Sequence, residues 1–117
     1  MDARRTLGRA GEALAADLYR KLGFSIVDRN WRCRSGELDL VVARGDVLVF
    51  CEVKTRRSDY FGGPAEAVGY QKQARLRRLA AAWMNEHRPG DVRIRFDVVA
   101  VLIGHREPEV THLPDAF

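Results

Sequence analysis

An α/β sandwich, a mixed sheet with a helix on either side, is the fold class this 117-residue chain predicts, and three observations predict it. Apolar residues recur at helical spacing in two separate stretches, one near the N-terminus and one after Pro64. Between them, a run rich in β-branched residues is broken at Arg44-Gly45-Asp46, as a hairpin would be. Beyond the second helical stretch, period-two alternation passes into a continuous apolar run, the pattern of a strand entering a sheet interior.

Each element has its own justification. Leu7, Gly11, Leu14, Leu18 and Leu22 recur at steps of three and four, and Gly23 follows as a C-cap, so Arg4 to Leu22 reads as an amphipathic helix with Glu12 beside its apolar stripe. In FSIVDRNWR a short strand carrying Phe24, Ile26 and Val27 runs into a polar turn at Asp28 to Asn30. Leu38 to Ala43 and Val47 to Lys54 form the hairpin. The polar TRRSDYFGGP stretch, with its Gly-Gly-Pro break, predicts an exposed loop. Pro64 then opens a helix over about Ala65 to Glu86, with Val68, Leu76, Leu79, Ala80, Trp83 and Met84 on its apolar face. Pro89-Gly90 ends it. DVRIRFDVVAVLIG supplies the last long strand, and the tail after Gly104 reads as irregular or as a short edge strand.

Composition limits what this fold does. Residues 1–117 are expected to form a single domain, long enough for a core without disulfide or metal staples. The hydrophobic share is 46%, and the longest apolar run, Val98 to Ile103, is far too short to span a bilayer. The N-terminal stretch lacks the apolar segment of a secretory signal, so a cytoplasmic location is expected. Two cysteines, Cys33 and Cys51, are too few for a disulfide framework or a thiolate zinc site, and Cys51, following Val49 and Phe50, reads as packing. The net charge of +4 favours a polyanionic partner without specifying one.

The hairpin carries more charge than its burial pattern explains. Side chains alternate across a strand, so Glu52 and Lys54 share one face, and the partner strand can bring Asp39 opposite Glu52. Two neighbouring carboxylates repel, and burial penalises both, so the cluster needs a cation. On the residues alone two readings stand. Lys54 pairs with Asp39 or Glu52 as a simple ion pair, or a hard divalent ion such as Mg²⁺ takes the carboxylate oxygens.

An acid on an N-terminal helix, another on a strand, and E-V-K on the next strand form a recognisable set. Glu12, the GELD of Gly36 to Asp39 and the CEVKTR of Cys51 to Arg56 resemble the PD-(D/E)xK nuclease superfamily. More closely, GRAGEALAADLYRKLGF, NWRCRSGELDLV, VFCEVKTR, VGYQKQARLRRLAAAWM and RFDVVAV together resemble the bacterial YraN-like family, which is similar to archaeal Holliday-junction resolvases. Leu38 stands where the motif usually has proline. The resemblance implies a restriction-endonuclease-like mixed β-sheet flanked by helices and metal-dependent phosphodiester hydrolysis. Asp39, Glu52 and the main-chain carbonyl of Val53 would hold Mg²⁺ or Mn²⁺, Glu12 would bind or orient the metal's waters, and Lys54 would stand by the attacking water. Glu12 has a simpler reading as a solvated helix-flank glutamate, and Glu37 as a supporting group or an end-of-strand charge.

Polynucleotide binding requires cations, and Arg56 and Arg57 after the motif, with Lys72, Arg75, Arg77 and Arg78 on the second helix, are the candidates, joined by Arg32 and Arg34. By the same resemblance, Gln71 or Lys72 matches a helix position that approaches the site. Tyr60 and Phe61 are candidates for stacking on unpaired bases, whereas Trp31 reads as core. His87, His105 and His112 lack metal-ligand spacing and read as surface residues. Two function classes result. One is a structure-selective endonuclease acting on branched or otherwise non-B-form DNA in repair or recombination, with a homodimer expected because symmetric cutting of two strands calls for two sites. The other is a nucleic-acid or protein-binding module on a nuclease fold without meaningful turnover.

Overall fold

A computed structural model describes residues 3–57 and 69–117. Its elements are helix α1 (Ala3–Lys21), strands β1 (Ser25–Cys33), β2 (Gly36–Arg44) and β3 (Val47–Arg57), helix α2 (Tyr70–His87), and strands β4 (Arg93–Ile103) and β5 (Glu109–Leu113). The five strands lie in sequence order in one sheet. All neighbours are antiparallel except β3 and β4, which are parallel and so need the crossover that contains α2. The predicted α/β class, a mixed sheet flanked by helices, is therefore the one the chain adopts.

A helix covers each face of the sheet, and the alternation of β2 and β3 sorts the core accordingly. Ala15, Ala16 and Tyr19 of α1 pack with Leu40, Val42, Val49, Cys51, Val53, Val99 and Val101. On the other face, Leu76, Leu79, Ala80 and Trp83 of α2 pack with Leu38, Val41, Leu48 and Phe50. Cys51 is buried as expected. The hairpin closes with Arg44 opposite Val47, leaving Gly45-Asp46 as a two-residue turn, and Gly45 takes the positive φ of 59° that such a turn favours.

Four expectations are corrected. Asp28 to Asn30 are strand, not turn, because β1 pairs with β2 as far as Cys33 and Asp28 accepts the Trp83 indole N–H at 2.9 Å. Thr55, Arg56 and Arg57 are strand, not loop, since β4 offers them partners up to Ile103. The second helix begins at Tyr70 because Gly69 is extended, with ψ 178°; the expected opening at Pro64 to Val68, like Tyr60 and Phe61, lies outside the described residues. One of the three histidines departs from the surface reading: His87 and His105 are exposed, His87 stacking on Trp83 with ring centroids 4.0 Å apart, but His112 is half-buried and its Nε2 lies 2.8 Å from the buried Asp97 carboxylate. The tail does form the edge strand, β5.

Gly11 marks the closest approach of α1 to the sheet. A methyl group there would collide with the Thr55 hydroxyl and stand 2.9 Å from Thr55 Cβ. Glycine to alanine within a helix ordinarily stabilises by about 1 kcal/mol. Here Gly11→Ala should destabilise by roughly 1 to 3 kcal/mol, the cost of overpacking. Urea denaturation tests the reversed sign, and a variant as stable as the wild type would contradict the packing.

Candidate functional site

The alternation of β2 fails at one residue. Leu38 joins the core beneath α2, whereas Leu40, two positions on, joins the core beneath α1. In a regular strand they would share a face. Asp39 stands at the break. The β2–β3 pairing stops at Leu40 opposite Cys51, and the Asp39 carboxylate accepts the Val53 N–H at 2.9 Å. Val53 thus meets Asp39 through its main-chain N–H. Across β1, the pairs Arg29–Leu40 and Trp31–Leu38 flank Asn30, which has φ 50°, an uncommon conformation for a non-glycine residue inside a strand.

Around this break the acids gather. Glu12 from α1 and Glu37 and Asp39 from β2 each bring a carboxylate oxygen within 4.8 Å of the others. The Asn30 side-chain amide donates to Glu12 Oε1 and to Glu37 Oε1, both at 3.0 Å. Asp39 is pushed up to about 8, first by burial, then by the Glu52 charge, with smaller contributions from Glu12 and Glu37 and partial relief from the Val53 N–H. Among the described residues no cationic side chain lies within ion-pair distance of Asp39. Two of the other acids do have one: Arg32 pairs with Glu37 at 3.0 Å and Lys72 with Glu52 at 2.6 Å.

That last pair departs from the simple ion-pair reading, which makes Lys54 the partner. Glu52 and Lys54 both point toward α2, as alternation predicts, and the first turn of α2 brings Lys72 onto Glu52. Lys54 is left near Lys72. Burial lowers its ammonium pKa, the Lys72 and Arg56 charges lower it further, and Glu52 only partly opposes them. A lowered ammonium is one better able to exchange a proton.

Some of the cations singled out from the sequence share one hollow and others do not. Lys54, Gln71, Lys72, Arg75 and Arg78 line one open hollow of about 940 Å³ beside β3. Tyr70 joins them, 90% exposed. Arg77 points away, its guanidinium over the Phe96 and Phe117 rings. Arg56 donates to the Thr55 carbonyl, and Arg57 is exposed at the end of β3; neither lines this hollow. Trp31 packs at the margin of the α2-side core and donates to Glu86.

Sequence reasoning misses Asn30, which it places in a turn, and ranks Glu37 low. The available signal is the polar asparagine within NWRCRSGELD, at a strand position where an amide can face two acids. Asn30→Asp should lower the stability of the metal-free protein by about 1 kcal/mol or more, because a donor between two carboxylates becomes a third acceptor with charge. Asn30→Gly relieves the positive φ while removing the bridge. Thermal melts in chelator should rank Asn30→Asp below Asn30→Gly; the opposite order would deny the bridge its role.

The comparisons with known proteins agree on one grouping. The family described as Uncharacterised protein family UPF0102 matches residues 11–101, a span that holds every acid of the site. A UPF0102 protein of Rhodococcus opacus strain B4 is 54% identical over 112 residues, covering 95% of both chains. One from Streptomyces griseus subsp. griseus is 54% identical over 114 residues, covering 95% of this chain and 94% of its own. A third, from Frankia casuarinae, is 52% identical over 118 residues and covers both chains completely. With a match across most of its length and relatives of equal extent, the chain belongs to the UPF0102 family.

Proposed function

We propose that the protein is a metal-dependent, structure-selective DNA endonuclease hydrolysing phosphodiester bonds in repair or recombination. One observation carries the reading: Glu12, Glu37 and Asp39 each bring a carboxylate oxygen within 4.8 Å of the others, Asp39 without a cation among the described residues, and Lys54 lines a basic hollow with Lys72, the partner of Glu52. The likeness of GELD and CEVK to the PD-(D/E)xK nucleases and archaeal Holliday-junction resolvases supports it. Hard carboxylate oxygens suit Mg²⁺ or Mn²⁺, and the raised Asp39 carboxyl is what a site short of one cation should display. Asp39, Glu52 and Glu12 would hold the ion, with the Val53 carbonyl as a further ligand. Such an ion supplies an activated water and neutralises charge building on the phosphate.

The chain's own groups do the rest. The Val53 N–H fixes the Asp39 carboxylate, and Asn30 fixes Glu12 and Glu37. Lys54, its ammonium pKa lowered, would orient the attacking water and donate a hydrogen bond to a charged phosphate oxygen. Arg75 and Arg78 neutralise flanking phosphates along α2.

A second reading, a nucleic-acid-binding module without turnover, is favoured by the Lys72–Glu52 contact at 2.6 Å, which occupies one expected ligand. Labelled duplex, flap, single-stranded and four-way-junction DNA, each incubated with Mg²⁺, Mn²⁺ or chelator, separate the two. Metal-requiring cleavage that falls at least about a hundredfold in Lys54→Ala and Glu52→Gln, with fold retained, supports the nuclease. Intact substrates bound with steep salt dependence establish the binding module instead.

A further inference from the structure

We infer that the first turns of α1, together with Arg32 of β1, form a second phosphate-contact surface, so that a polynucleotide is held on both sides of the acids and not by α2 alone. The inference rests on the polynucleotide reading above. Arg4, Arg5 and Arg9 of α1 and Arg32 line an open hollow of about 550 Å³ that they share with Glu12, Asn30 and Glu37. All four arginines are exposed.

The charge arrangement works against the helix that carries it. A helix N-terminus favours acids, yet the first turn of α1 contains none. Arg5 and Arg9 are one turn apart on one face, where like charges repel, and Glu12 follows Arg9 by three. Among the described residues, no carboxylate lies within ion-pair distance of Arg5 or Arg9. An external anion can supply the partner that no described carboxylate gives Arg5 and Arg9; Arg32 already pairs with Glu37 at 3.0 Å.

Position identifies the anion. α1 and α2 cover opposite faces of the sheet, and each hollow reaches the acids from its own side: Glu12 and Glu37 line the α1 hollow, while Lys72, which holds Glu52, lines the α2 hollow. A single phosphate would occupy one hollow. Two hollows flanking a row of acids fit a chain of phosphates running across it, with guanidinium forks matching the phosphate oxygens on either side. The phosphodiester bond presented to the acids is then internal to the strand.

The test measures binding in chelator, so that cleavage does not intervene, using fluorescence anisotropy of labelled single-stranded and four-way-junction DNA over a salt series. Arg5→Gln/Arg9→Gln should weaken binding about tenfold or more and make the log–log salt slope shallower by about 1.4 on the single strand, at roughly 0.7 for each phosphate left unneutralised. Its melting temperature should equal or exceed that of the wild type, since the repulsion within α1 is relieved. Arg75→Gln/Arg78→Gln should lose affinity independently. If the α1 variant keeps wild-type affinity and slope while the α2 variant loses both, the second surface does not exist and the function proposed above stands. Should the wild type bind neither probe, both fall together.

Discussion

Asp39→Asn should make the metal-free protein more stable while abolishing metal-dependent cleavage. In the wild type, burial and the Glu52, Glu12 and Glu37 charges hold the Asp39 carboxyl at about 8, so the unfolded chain releases its proton far more readily than the folded one. A folded-state pKa above the unfolded value gives stability that is full below about 4 and is lost as pH rises through about 8. Asparagine removes that dependence yet keeps an oxygen to accept the Val53 N–H. In chelator, the variant should therefore match the wild type near the acid end and exceed it by roughly 1 to 3 kcal/mol at neutral pH and above, an order of magnitude typical of relieving an uncompensated buried charge. Denaturant titrations at a series of pH values measure this. Cleavage with Mg²⁺ should fall at least about a thousandfold, since a neutral amide neither attracts the cation nor offsets its charge. A variant less stable than the wild type in chelator at neutral pH would show that the Asp39 charge is already compensated, and the case for a missing cation would fail.

Much of this arrangement is legible in the sequence because periodicity reports which face a residue occupies. The hairpin, the alternation that sets Glu52 and Lys54 toward α2, and the concentration of Lys72, Arg75 and Arg78 beside them all follow from local spacing. What stays hidden depends on departures from regularity. The loss of alternation at Asp39 and the positive φ at Asn30 bring Glu37 and Asn30 into the site, and no period encodes either. Lys72 displaces Lys54 as the partner of Glu52 because the contact is set by where α2 begins, and the extended Gly69 sets that point. The α1 arginines escape a reading of spacing for the same reason: only the fold places the start of α1 beside Arg32.

Asp97 shows the same limit away from the acid cluster, and its replacement should cause the largest loss of stability. It reads in the sequence as the polar half of an alternating strand, yet it is fully buried. Arg95 donates to both its oxygens at 2.8 Å, the Tyr19 hydroxyl donates at 2.7 Å, the Asp115 N–H at 3.0 Å, and His112 Nε2 lies at 2.8 Å. One carboxylate thereby ties α1, β4, β5 and the C-terminal turn. Burial by itself would raise its pKa, but the Arg95, Tyr19, His112 and Asp115 hydrogen bonds outweigh it and hold the carboxyl below the ordinary range. A depressed folded-state pKa means stability that is present above the unfolded value near 4 and is lost as pH falls through the folded one. Asp97→Asn keeps the shape but turns an acceptor oxygen into a donor amide facing Arg95 and leaves that guanidinium without its counter-charge. The cost should be about 3 to 5 kcal/mol, as for a buried pair deprived of one partner, lowering the melting temperature by roughly 10 °C or more. It should also remove part of the wild-type loss of stability below about pH 4. Tyr19→Phe, which deletes one of the donors, should cost about 1 to 2 kcal/mol. An Asp97→Asn protein that melts within a few degrees of the wild type, or that keeps its full acid sensitivity, would mean that the edge strand is held by the sheet ladder and not by this carboxylate.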